Sequence, residues 1–81
     1  MVVVHRAHGY RLVIYTFDHE PAHVHITGAG KGKIQLVGFD GRPELIYATD
    51  IKRPDLKRLM RDVAENQAYL IELWERIHGK S

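Results

Sequence analysis

The chain has no cysteine, three prolines and one tryptophan in 81 residues. Without thiols it can form neither disulfide staples nor thiolate zinc sites. Its stability must come from packing, and any metal must be held by nitrogen and oxygen. Long apolar runs are missing too. The opening Met1-Val2-Val3-Val4 is cut short by His5 and Arg6, too soon for a signal peptide or a membrane span. A first β-strand is expected there, in a protein of the bacterial-type cytoplasm with no membrane partner. Charge of one sign is scarce: 12 basic against 10 acidic residues leave a formal charge of +2, too little to demand a polyanion as partner. A phosphate loop is also absent. Gly28-Ala29-Gly30-Lys31-Gly32 lacks the spacing and the Lys-Ser/Thr ending of that motif and reads as a hairpin turn.

What is there is ordinary globular material, 44% apolar and 27% charged. Residues 1–81 are expected to form one domain with a radius of gyration of roughly 12 Å. Such a chain buries about 60–65% of its unfolded surface. That leaves a thin core and no deep enclosed cavity, so any site should be a shallow groove or one completed by a second molecule.

Strand signals fill the first two thirds, over about residues 2–48. Val2 to Val4 are β-branched. Tyr10 to Phe17 is apolar on both faces, as an interior strand would be. His23 to Thr27 and Lys33 to Val37 follow, the latter with Ile34 and Leu36 inward. Glu44 to Ala48 forms a fifth, extended segment that Pro43 assigns to an edge. Leu56, Leu59, Met60, Val63, Gln67, Leu70, Ile71, Trp74 and Ile77 then recur at the spacing of one helix face, over about 54–78. Pro54 and Asp55 suit the start of that helix, and Gly79 its end. Unbroken, it would run about 37 Å, while a five-residue strand covers about 17 Å. The mismatch calls for a bend near Asn66 or for packing against another molecule. The expected class is α+β: an antiparallel meander of four or five strands with a long or bent C-terminal helix packed on one face.

The chemistry concentrates in Asp18-His19-Glu20-Pro21-Ala22-His23-Val24-His25-Ile26. Alternation along a strand turns His23 and His25 to one face and Val24 and Ile26 to the other. A histidine pair at this spacing can chelate one ion, with His19 or Asp18 as the third ligand and an open position for water, and a divalent metal such as zinc is the cofactor such a set takes. The same residues also compose a metal-free acid–base site. There a histidine is oriented by Asp18 or Glu20, with Arg11 or Lys33 stabilising charge from neighbouring strands. The plain alternative is a histidine donating to a backbone carbonyl or to Asp18. Both sharper readings require the two rings to project together from the outer surface of the sheet, not to plug into the interior against Trp74. A second candidate, for contact with nucleic acid or a partner, is Lys57, Arg58 and Arg61 on one face of the helix. Asp62 and Glu65, each four residues after a basic one, would make that face an ordinary set of helical ion pairs.

The box, with Tyr10-Arg11-Leu12-Val13-Ile14-Tyr15 before it and Tyr69-Leu70-Ile71-Glu72-Leu73-Trp74 near the end, resembles the small bacterial family called domain of unknown function 4160. Ala22 departs from that family's usual second proline. The resemblance implies a four- or five-stranded fold with a C-terminal helical segment. It also implies a gene neighbourhood like that of toxin–antitoxin pairs, but no catalytic residues.

Two functions follow as expectations. The first is a protein-interaction component of a two-gene, toxin–antitoxin-like module. Its partner would be the small protein from the adjacent gene, with a second copy meeting the C-terminal helix or nucleic acid as further contacts. The alternative is a small hydrolase or ribonuclease working through His23, His25 and Asp18, with or without a divalent metal.

Overall fold

A computed structural model describes residues 1–79 of the chain. Five strands, β1 (Val2–Ala7), β2 (Tyr10–Ile14), β3 (His23–Gly28), β4 (Lys31–Gln35) and β5 (Glu44–Thr49), precede two helices, α1 (Arg53–Glu65) and α2 (Gln67–Ile77). The strands pair antiparallel in the order β1-β2-β3-β4-β5. Pro43 thus leads into an edge strand, and the meander with helices behind it is the α+β class the sequence predicts. The radius of gyration is 11.7 Å.

Strand alternation divides the sheet into two unlike faces. Leu12, Ile14, Val24, Ile26 and Ile34 point to one side and form a buried cluster with Leu59 and Val63 of α1 and Leu70 and Trp74 of α2. Leu56, Met60, Ile71 and Ile77 pack around its margin. Among the described residues the opposite face carries no helix, and its side chains come from the intervening positions.

The helix breaks where the length mismatch requires. Asn66 leaves helical geometry, with φ −109° and ψ 17°, and its side-chain amide donates to the Asp62 carbonyl at 2.8 Å. The 13 residues of α1 then span about 20 Å, the length of a six-residue strand. Gln67, the first residue of α2, donates both amide hydrogens inward, to the carbonyls of Leu36 at 2.7 Å and Gly41 at 2.8 Å. One side chain thereby ties the restarted helix to the end of β4 and the loop beyond.

Several strand limits differ from expectation: β1 runs on to Ala7, and β4 ends at Gln35, before Leu36 and Val37. β2 stops at Ile14 because Tyr15 and Asp18 close a turn on each other, as described below. β4 starts at Lys31, so the glycine-rich connection shrinks to Ala29 and Gly30. Gly30 permits this because a Cβ there would stand 2.3 Å from the Asp50 carbonyl oxygen. Gly30→Ala must push that backbone away. It should lower the urea midpoint with little change in slope, whereas Ala29→Gly, on the exposed half of the turn, should move it by a few tenths of a kcal/mol.

Candidate functional site

Asp18 is placed by its own turn. Its N–H donates to the Tyr15 carbonyl at 3.0 Å, and its Oδ2 accepts the Tyr15 N–H at 3.0 Å. This is the side-chain-to-backbone turn that short acidic residues favour. It converts the end of β2 into a bend aimed at the start of β3. There, by alternation, His23 and His25 share a face, opposite the buried Val24 and Ile26.

The three side chains converge. His23 Nε2 lies 3.2 Å from His25 Nε2. Asp18 turns Oδ1 to His25 Nε2 at 3.3 Å and Oδ2 to His23 Nε2 at 3.4 Å. Among the described residues, these are the three whose nitrogen and oxygen ligand atoms all stand within 4.8 Å of one another. Each imidazole also has an aromatic wall: Tyr15 lies edge-on to His25, ring centroids 4.8 Å apart, and Trp74 stands 5.1 Å from His23.

One expectation is corrected here. The pair does not project freely from the sheet. His23 is only 4% exposed and rests against Trp74, the placement expected to exclude a site. It does not exclude one, because the ring is held by its other edge. His23 Nδ1 donates to the Pro21 carbonyl at 2.8 Å, which is the plain histidine-to-backbone bond of the alternative reading. A carbonyl only accepts, so Nδ1 carries the proton, and a neutral His23 presents the Nε2 lone pair to His25 and Asp18.

The proton count is then short. Two imidazole nitrogens and a carboxylate face one another, and the neutral site holds a single shared hydrogen, on His25 Nε2. Such a set has lone pairs left over for a further proton or a cation. Asp18 itself feels two opposed influences. Partial burial pushes its pKa up, but the Tyr15 N–H and the hydrogen bond from His25, with the positive charge both rings carry when protonated in acid, together hold it below the usual carboxylate value.

The remaining candidate residues lie elsewhere. His19 is exposed and outside the converging group, so of the two adjacent candidates only Asp18 faces the histidine pair. Lys33 is the in-register neighbour of His25, and Arg11 pairs with Thr27 one step further along β3. Lys57, Arg58 and Arg61 are exposed on α1, on the far side of the sheet from His25. Their expected pairings are not formed. Arg58 bonds back to Asp55 at 3.2 Å, and Arg61 stands 4.0 Å from its neighbour Asp62. Asp62 is instead taken by two histidines that helical spacing does not connect to it. His8 Nε2 at 2.9 Å and His5 Nε2 at 3.3 Å both donate to its Oδ2, pinning the β1–β2 hairpin to α1. That contact is satisfied by neutral rings, two donors on one acceptor, and so differs from the cluster at Asp18. Its signal in the sequence is faint, because two histidines three apart around a hairpin say nothing about which helix they will meet.

Beside the cluster, Glu20, Pro21, Ala22, Val37, Ile71, Trp74 and Glu75 line an open groove of about 240 Å³, in keeping with the shallow site expected of so small a chain. Residues 9–75 match the family model described as "Domain of unknown function (DUF4160)". No curated protein and no solved structure matches the chain.

The lowered pKa of Asp18 has a signed consequence. A carboxylate favoured as the anion in the folded state contributes stability above its unfolded value of about 3.9, and the contribution is lost as pH falls through the lowered folded value. The difference in melting temperature between the native chain and Asp18→Asn should therefore be largest near neutrality and shrink between about pH 5 and pH 2. A difference independent of pH would show that the ionised carboxylate is not what the fold uses.

Proposed function

The chain belongs to the DUF4160 family, whose description names no activity, and from that premise we propose that Asp18, His23 and His25 form a divalent-metal site serving a small hydrolase. The observation carrying this reading is the spacing of the three ligand atoms. Around a tetrahedral ion with bonds of about 2.0–2.1 Å, neighbouring ligand atoms stand roughly 3.3–3.4 Å apart. The two imidazole nitrogens stand 3.2 Å apart, and Asp18 offers Oδ1 to His25 at 3.3 Å and Oδ2 to His23 at 3.4 Å, so that one ligand atom from each residue lies within 4.8 Å of the others.

The surroundings supply what a metal-binding histidine needs. His23 Nδ1 is fixed on a carbonyl, the outer contact that sets tautomer and ring direction in such ligands. Asp18 is steadied by the Tyr15 N–H, and both imidazoles are backed by aromatic rings. The donor set of two nitrogens and a carboxylate suits zinc or a similar transition ion better than magnesium or calcium. Three protein ligands leave a coordination position open, where a bound water becomes acidic enough to act as a nucleophile near neutral pH. Lys33, across from His25, is the charged side chain placed to meet an anionic group arriving there.

The second reading, an interaction component of a two-gene module, has its own support. Phe17 and Phe39 are 89% and 103% exposed, a cost in solvent that a partner protein would relieve. In that reading the chain co-purifies with the product of its adjacent gene, and Phe17→Ser with Phe39→Ser breaks the association.

Metal binding is tested by thermal melts across micromolar to millimolar zinc and manganese, with EDTA as control. An ion that binds only the folded chain, at about 100 times its dissociation constant, adds about 2.7 kcal/mol. At about 4–8 °C per kcal/mol for a domain of this size, that is a rise of roughly 10–20 °C. His25→Gln and Asp18→Asn should each abolish most of the rise. An unmoved midpoint for the native chain overturns the metal site. A His23→Gln variant that loses stability but keeps the metal response would make His23 a packing residue alone.

A further inference from the structure

The sheet face turned away from the helices is unlike the rest of the surface. The register brings Val3, Val13, His25, Lys33 and Tyr47 into one row across all five strands. A second row runs through Arg6, Arg11 and Thr27, and Lys31 with Thr49 continues this face on β4 and β5. This face thus carries Arg6 on β1, Arg11 on β2, and Lys31 and Lys33 on β4. None of the four takes part in an ion pair among the described residues. The basic residues of α1 behave differently, since two of its arginines face nearby aspartates. The carboxylates near this face are Asp18, already engaged by two histidines, Glu44 at the edge, paired in register with Gln35, and Asp50, which lines a shallow pocket with Lys31. Two tyrosines flank the cations, Tyr15 at 36% and Tyr47 at 45% exposure.

Cations outside any ion pair, interleaved with partly exposed aromatic rings on a twisted sheet, match the chemistry of a single nucleic-acid strand. Phosphates meet Lys and Arg, and unstacked bases lie on Tyr rings. Five strands at about 4.8 Å spacing span roughly 19 Å, the extent on which sheet-based RNA-binding modules seat two or three bases. A duplex would present its phosphates on a curved cylinder and hide the base faces that the tyrosines could stack on.

We propose that the open sheet face binds a single strand of nucleic acid across Arg6, Arg11, Lys31, Lys33, Tyr15 and Tyr47, laying its backbone beside His25. This names the substrate class for the hydrolytic site and rests on that reading only where cleavage is concerned. Binding to the face stands without the metal.

The experiment is fluorescence anisotropy with a labelled 12-nucleotide single-stranded RNA, the same sequence as single-stranded DNA, and its duplex, all at low salt in EDTA. The native chain should bind the single strands and favour them over the duplex, with the RNA and DNA arms showing whether the 2′-hydroxyl contributes. Each lost phosphate contact should lower the salt slope by about 0.7. Arg11→Ala with Lys33→Ala should thus flatten the slope by about 1.4 and weaken binding at least tenfold. Tyr47→Ala should weaken binding by about tenfold with the slope unchanged, as a stacking residue does. All are surface changes, and circular-dichroism melts check that the variants remain folded. The triple change Lys57→Ala, Arg58→Ala, Arg61→Ala, on the other side of the molecule, should leave affinity within about twofold. The proposal is overturned by no binding at low salt, by equal or better binding of duplex, or by loss through the α1 variant in place of the sheet variants. Dimerisation that the Arg11/Lys33 variant abolishes would likewise overturn it, assigning the face to a second copy. Because EDTA removes any metal, failure here leaves the zinc and manganese melts as an independent test of Asp18, His23 and His25.

Discussion

The 2.8 Å hydrogen bond from His23 Nδ1 to the Pro21 carbonyl governs more of the molecule than its position at the start of a strand suggests. It fixes the tautomer of the buried imidazole, so that a lone pair and not a proton faces His25 and Asp18. It also holds the ring plane so that one side meets Trp74, 5.1 Å away, while the Nε2 edge stays with the polar cluster. The same residue is therefore both a piece of the core margin and the inner wall of the site.

That double use follows from a sheet only five strands wide with helices on one face. A chain of 81 residues has no interior to spare for a cavity. Polar chemistry must sit where the sheet ends and the packed face gives way to the open one. The turn at Tyr15–Asp18 and the first residues of β3 lie at that margin. The apolar side of β3 anchors in the core through Val24 and Ile26, and its other side carries the histidines. The break at Asn66 belongs to the same economy. It lets α2 restart at an angle set by Gln67 and deliver Trp74 to the place where His23 needs a wall.

Much of this is legible in the sequence, because local periodicity carries it. The strand alternation of His23 to Thr27 puts both histidines on one face, and the mismatch between a 25-residue helical stripe and short strands requires the bend that Asn66 makes. The choice of third ligand is not legible. Asp18 and His19 are adjacent, and only the turn that Asp18 closes with the Tyr15 backbone decides which of them faces the pair. Asp62 escapes its helical spacing for a related reason. That spacing offers it Arg58, but tertiary packing offers two histidines from a hairpin 54 and 57 residues away, and partly buried contacts to fixed rings outweigh solvated pairs that must order long side chains. The open-face rows of cations are equally hidden. Arg6, Arg11, Lys31 and Lys33 are scattered along the chain and become neighbours only through strand register.

The single tryptophan of this chain lies between two imidazoles, with His23 at 5.1 Å and His78 stacked at 3.9 Å. Indole emission is sensitive to nearby charge and is quenched by imidazolium. The molecule thus contains its own optical probe of charge placed beside His23, readable in the native chain with no label attached.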